Sequence, residues 1–342
     1  MNKSFIIYLF IGFITLHACS NEAEKDNSQA QSNSKEEIVQ VDDPQGLMRI
    51  NKMIENYPNE AQLYFLRGEY FYTQEGYDQA IRDLSKAIQL DSTKSTYWHS
   101  LSNAYMDYFK SQEALSVMRE ASARFPDSVY TQLKLSETQL IMERHQEAMA
   151  TLTKIKQKDE FNADAHYMMG LVFSDLGEVD NAIVNFQQCV ELDPKFIESW
   201  VELGNLWAQK ENGNDPNLYF DNALRLDTAY IPALFSKARY AMNNEDLEQS
   251  LSIFDKLSQL YPSDESYFYN KGNIHMRMEN WEEAVKEFTI AIRLNPVLVD
   301  AYIARGKAYV QLGKTSEAKK DFEQSLQLKE DIPGVKEMLD GL

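Results

Sequence analysis

The chain has 342 residues, 53 of them acidic and 34 basic, for a net charge of −19. So acidic a body repels nucleic acid and anionic membrane surfaces and favours basic partners. Its two cysteines cannot make a disulfide framework. In chain order, Met1-Asn2-Lys3 supplies one positive charge, Phe5 to Leu16 a 12-residue apolar run, and His17-Ala18-Cys19 a small residue at a cut. This is the pattern of a secretory signal peptide over residues 1–18, and the run is too short to span a bilayer. Residues 19–43 are polar, rich in Ser, Asn, Gln and Glu, and cannot build a core. They read as a tether that holds the remaining chain on the order of 25 to 30 Å from the tether's own first residue.

From Ala61 to Ile332 the sequence repeats eight times with a period of 34 residues. With the positions in each window numbered as columns, column 8 is small: Gly68, Ser102, Ser136, Gly170, Gly204, Ala238, Gly272 and Gly306. Column 20 is also small in seven windows, with Pro216 in the fifth, and column 24 is large and apolar: Leu84, Met118, Leu152, Phe186, Phe220, Phe254, Phe288 and Phe322. Gaps of 3 and 4, as in Ala182, Ile183, Phe186, Cys189 and Val190, predict two amphipathic helices per window. Short side chains let helix backbones approach and the large column fills the space between pairs. Pro126, Pro194, Pro262 and Pro296 in column 32 end second helices. Residues 44–60 hold the phase of a lone second helix (Leu47, Ile50, Met53, Ile54) and predict an N-terminal cap, and residues 333–342 predict a C-terminal one. Asn212-Gly213-Asn214-Asp215-Pro216 predicts a longer turn in the fifth window with Pro near the first helical position.

Trp200-x2-Leu203-Gly204-x2-Trp207, with Ala284-x3-Phe288 and Pro296 in a later window, resembles the tetratricopeptide repeat. The resemblance covers residues 61–332 in one register. It implies an all-α, right-handed superhelix, an α-solenoid of eight helix-turn-helix repeats with terminal capping helices, whose first helices line a concave groove. The third window departs most, with Gln132, Gln139 and Ile155 where the pattern has aromatic and small residues. Separately, Leu16-His17-Ala18-Cys19 resembles a bacterial lipoprotein box, which implies lipidation of Cys19 and attachment to the outer membrane. A plain signal peptide ending near Cys19 is the alternative. Ser20 to Asp26 resembles the acidic run that sends some lipoproteins to the cell surface, so both the periplasmic side and the surface stay open.

His99, His145, His166 and His275 fall in different columns, with no His, Cys or carboxylate at ligand spacing, and Cys189 sits in a core column as a buried thiol. The chain has no Gly-rich phosphate loop, nucleophile elbow or H-E-x-x-H motif. Neither an enzyme nor a cofactor is expected. The resemblance places columns 5, 9, 12 and 13 of each first helix on the concave wall. In the N-terminal half these are Phe65, Glu69, Tyr72, Asn103, Met106, Asp107, Leu133, Glu137, Tyr167 and Leu171. Toward the C-terminus they become an amide and basic ladder of Asn205, Arg239, Met242, Tyr269, Asn273, Met276, Arg277 and Lys307, with Gln209 and Asn243 beside it. Amides and Arg pair with the backbone or carboxylates of an extended peptide, and Met and Tyr give adaptable apolar contact. Ordinary solvated surface is the competing reading. The Lys and Asn clamp by which some relatives hold a C-terminal carboxylate is absent, because column 5 is Val201, Phe235 and Tyr269. The expectation is a lipid-anchored scaffold that binds protein partners for an envelope assembly or secretion complex. The alternative is a binding protein for a glycan or other small ligand.

Overall fold

A computed structural model describes residues 44–210 and 213–342, and these form eighteen helices with no strand among them. The expected signal peptide, the expected lipidation site Cys19 and the expected tether lie outside the described residues. Packing divides the chain into two units, Met1–Pro194 and Lys195–Leu342. The first contains α1 (Pro44–Asn56), α2 (Ala61–Thr73), α3 (Tyr77–Leu90), α4 (Ser95–Asp107), α5 (Ser111–Arg124), α6 (Val129–Ile141), α7 (His145–Lys158), α8 (Ala163–Asp175) and α9 (Val179–Leu192). The second contains α10 (Ile197–Trp207), α11 (Pro216–Leu226), α12 (Ile231–Asn243), α13 (Leu247–Leu260), α14 (Glu265–Arg277), α15 (Trp281–Leu294), α16 (Val299–Gln311), α17 (Thr315–Leu328) and α18 (Val335–Asp340). Every first helix begins on the 34-residue period, so the fold is the α-solenoid that the repeats imply.

The small and large columns meet as sterics requires. A Cβ added to Gly204 would lie 2.4 Å from Cε1 of Phe220, and one added to Gly272 would lie 2.4 Å from Cε1 of Phe288. In these repeats the ring lies against the first-helix backbone because glycine in column 8 has no side chain. Phe186, Phe220, Phe254, Phe288 and Phe322 are all fully buried. Each such ring is worth about 1.5–3 kcal/mol of transfer free energy. In the third repeat polar contacts replace part of this packing. Gln132 donates to the carbonyls of Ser122 and Phe125 at 3.3 and 3.2 Å, and buried Gln139 accepts from Thr151 Oγ1 at 3.0 Å.

The turn between the two helices is left-handed in every described repeat that closes it. Glu75, Phe109, Glu143, Gly177, Glu245, Glu279 and Gly313, all in column 15, have φ between 56° and 74°. The next amide then returns to a carbonyl inside the first helix, as Lys110 N–H does to Tyr105 at 2.8 Å and Arg144 N–H to Gln139 at 2.8 Å. The fifth repeat differs as its sequence predicts. Here α11 begins at Pro216, and Asp215 caps it by accepting the Asn217 amide at 2.9 Å.

Both ends are capped by half-repeats. Ile50 of α1 is fully buried in the column-24 position, and Arg67 of α2 reaches Asn51 at 2.8 Å while forking onto Asp83 at 2.6 and 2.8 Å. Arg305 repeats this arrangement with Thr289 and Asp321. Thus α1 occupies the place of a second helix in a preceding pair. At the other end Val335 of α18 packs on Ala318 and Phe322. Among the described residues no helix is long and apolar enough to cross a membrane.

Candidate partner-binding surface

In the C-terminal unit the first helices α10 and α12 touch, as do α14 and α16, and Arg277 of α14 reaches back to the Met242 carbonyl of α12. Columns 9 and 13 project from this wall, and column 5 turns into the core. Val201 is 2% exposed, and Phe235 meets Phe254 edge-on at 5.7 Å. The Tyr269 ring packs 5.8 Å from Phe288 and its hydroxyl is bonded to Asn273. The expectation that column 5 lines a groove is therefore corrected, because a residue one turn before column 8 faces the same second helix. The same correction applies to Leu133 (0% exposed) and Tyr167 (5%) in the N-terminal unit.

The rest of the ladder divides by what each side chain already touches. Arg239 and Lys307, both in column 9, are exposed and present cations two repeats apart. Asn205 and Asn273 are half-buried beside their hydrogen-bond partners Glu202 and Tyr269. Met242 and Met276 are half-buried against the cores of their repeats, with part of each thioether left at the surface. Arg277 bridges backward instead, donating to the Met242 carbonyl at 2.5 Å and pairing with Glu245. Burial pushes the Glu202 carboxyl up to about 7, against the lowering pull of Asn205 and the Arg239 charge. The wall thus offers two exposed cations, two anchored amides and adaptable sulfur, suited to an extended chain carrying carboxylates.

Arg277 exemplifies a link that sequence reasoning missed. Column 13 of one repeat reaches the turn, or a helix end next to it, of the repeat before it. Asp107 accepts from Tyr72, Asp175 lies 2.5 Å from His145, and Arg277 pairs with Glu245. The partner changes from Tyr to His to Glu, and Arg277 reverses the charge of Asp107 and Asp175, which hides the link from a column reading. In the N-terminal unit the remaining candidates are held by neighbours. Desolvation raises the Glu69 carboxyl although Ser100 bonds to it, burial and Asp107 raise the Tyr72 hydroxyl, and buried Glu137 pairs with Lys134 at 2.8 Å. Phe65 stacks on Tyr97 at 4.8 Å, and Asn103, Met106 and Leu171 are half-buried.

His99, His145 and His166 are each engaged with different neighbours. His99 meets Thr131 at 3.0 Å in the core, and His166 meets the Glu160 carbonyl at 3.2 Å. Among the described residues no group of three His, Cys, Asp or Glu side chains is placed to hold a metal ion. Cys189 is a fully buried thiol.

Family comparison agrees with this architecture. A tetratricopeptide repeat profile matches residues 163–196, a second matches 272–313 and a third matches 299–332. Over those residues the chain carries tetratricopeptide repeats. It is similar to human Superkiller complex protein 3, with 32% identity over 94 residues, which is 28% of this chain and 6% of that protein. The chain therefore spans a small part of the length of such curated relatives. Among solved structures it resembles a tetratricopeptide repeat protein from Parabacteroides merdae, with TM-score 0.52 and 18% identity over 72% of this chain and 97% of the other. It also resembles the APC/C heterotetramer Cut9-Hcn1, with TM-score 0.55 and 14% identity over 86% and 58%. These two likenesses concern the fold.

Proposed function

We propose that this chain is a lipid-anchored scaffold that binds protein partners along the first helices of its C-terminal repeats and serves an assembly or secretion complex of the bacterial outer membrane. The supporting observation is the pair of exposed cations Arg239 and Lys307 on a wall of adjoining helices, in a chain of net charge −19. A local basic strip on an acidic body attracts acidic or C-terminal segments while the rest of the surface repels other anions. Superkiller complex protein 3 is by its name a component of a complex, which fits the same kind of role. Anchoring rests on the Cys19 sequence pattern alone, with sorting to the outer membrane.

The test is recovery of partners from crosslinked membranes. Arg239→Glu with Lys307→Glu should abolish partner recovery at unchanged melting temperature, while Lys286→Glu with Lys320→Glu on exposed second-helix faces should not. Arg277 is a poor choice for this experiment, because its loss also breaks the bridge to Glu245. Equal recovery with both double variants excludes the ladder as the site. Cys19→Ala should leave the chain unlipidated in the soluble or precursor fraction, and an unmodified mature N-terminus elsewhere excludes the anchor.

A further inference from the structure

We propose that the turn edge of the first two repeats docks a basic, Arg- or Lys-bearing segment of a partner protein. The site is independent of the C-terminal ladder and of opposite chemical preference. Three tyrosines from three elements form one aromatic surface there. Tyr77, at the start of α3, stacks with Tyr108 after α4 at 5.7 Å and 25°, and Tyr72 near the end of α2 meets Tyr77 edge-on at 6.1 Å. All three rings are half-exposed. Their neighbours are acids. The Tyr72 hydroxyl donates to Asp107 and the Tyr108 hydroxyl to Asp78 at 3.0 Å, with Asp78, Asp107 and Glu75 themselves exposed. A phenol that donates to a carboxylate has a more electron-rich ring, and an electron-rich ring rimmed by carboxylates is a cation-binding face. The chain itself shows this preference, since the Lys110 ammonium lies 4.3 Å from the Tyr108 ring centroid.

Phe109 supplies a second, independent observation. It is 93% exposed, and it sits at φ 57° in the left-handed position that Gly177 and Gly313 occupy in other repeats. A bulky apolar residue there is strained, and an uncovered phenyl ring gains nothing from the fold. Beside a cation-binding face it fits the aliphatic stem or apolar neighbour of a bound Arg or Lys. The occupant follows from charge. A second copy of the chain brings a net charge of −19 to an acidic surface, and residues 20–43 carry seven acids against two lysines, so neither matches. A basic segment of another protein does.

The probe is a labelled, end-blocked octapeptide of alternating Arg and Leu, titrated into the purified full chain by fluorescence anisotropy. The same peptide with Glu in place of Arg and a chitin hexasaccharide serve as competing probes. The Arg peptide should bind with micromolar affinity, and Phe109→Gly should weaken it at least fivefold while leaving the melting temperature equal or higher. Tyr108→Leu should weaken it similarly, and Lys110→Ala, which removes the internal competitor, should tighten it about threefold. Equal binding by the parent chain, Phe109→Gly and Tyr108→Leu overturns the proposal. So does preference for the Glu peptide, or binding of the saccharide alone.

Discussion

Four glutamates, Glu75, Glu143, Glu245 and Glu279, hold the left-handed turn residue that two other repeats give to glycine. The left-handed region costs an L-residue roughly 1–2 kcal/mol, part of which glycine gives back through its larger entropy loss on folding. Glu75→Gly and Glu143→Gly should each therefore raise stability by about 1 kcal/mol in urea denaturation. Glu245→Gly should gain less, since it also removes the exposed Arg277 pair, worth about 0–1 kcal/mol. His99 gives a pH signature of definite sign. Burial, with the Lys134 charge adding, lowers its pKa to about 4 from the ordinary 6.5. Between those values the unfolded chain takes up a proton that the native imidazole refuses, so stability is complete above 6.5 and falls with pH until about 4. The loss is on the order of 3 kcal/mol. Subtracting the pH profile of His99→Gln from that of the parent chain should isolate this slope, and parallel profiles from pH 7 to 4 would count against a neutral buried imidazole.

At the scale of the helix pair, stability rests on one contact repeated along the chain: a large column-24 side chain, a phenyl ring from the fourth repeat on, lying on a column-8 backbone. Phe288→Ala empties that space and should cost about 3–5 kcal/mol, read as a lower urea midpoint. Gly272→Ala overfills the same contact and should cost about 1–3 kcal/mol. The contact can adjust to an alanine, because in repeat 6 Ala238 coexists with a fully buried Phe254. This contact is also why the fold was legible in sequence. Residues 16 apart within one window decide it, and the choice recurs with each period. Contacts between windows were not legible, because their chemistry changes from repeat to repeat. Asp107 with Tyr72, Asp175 with His145 and Arg277 with Glu245 all start from column 13, but Asp gives way to Arg and the partner is a different residue type in a different column each time. For the same reason the ladder was found as a list of columns, while the engagement of Arg277 and the inward turn of Tyr269 were not. Tyr108-Phe109 did carry a signal, since a bulky aromatic occupies a column that otherwise holds Glu or Gly.

At the scale of the whole molecule, a repeat array draws its stability from coupling between neighbours, so the weakest repeat decides where it opens first. Repeat 5 has the shortest pair, with 11 residues in each of α10 and α11, where the first and second helices of the other repeats have 13 and 14. Fewer turns mean fewer internal amide bonds and less apolar face on either side. What holds its turn is a small aromatic clamp. Trp207 stacks with Tyr219 at 6.5 Å, Asn214 donates to the Tyr219 hydroxyl at 2.8 Å, and Gly213 lies so close to the indole that an added Cβ would be 2.3 Å from it. The Trp200 ring also lies 6.3 Å from Tyr219, so this one tyrosine joins both ends of α10 to α11. Native-state hydrogen exchange should accordingly show faster amides over residues 207–220 than in repeats 4 and 7, and Tyr219→Ala should widen that difference while sparing repeat 7. Loss of the ring removes the stack and the hydroxyl acceptor together, so protection should fall in α10 and α11 jointly. Uniform protection from repeat 4 to repeat 7, or a Tyr219→Ala effect spread evenly over the C-terminal unit, would mean that neighbour coupling outweighs the short helices and that no repeat opens before the others.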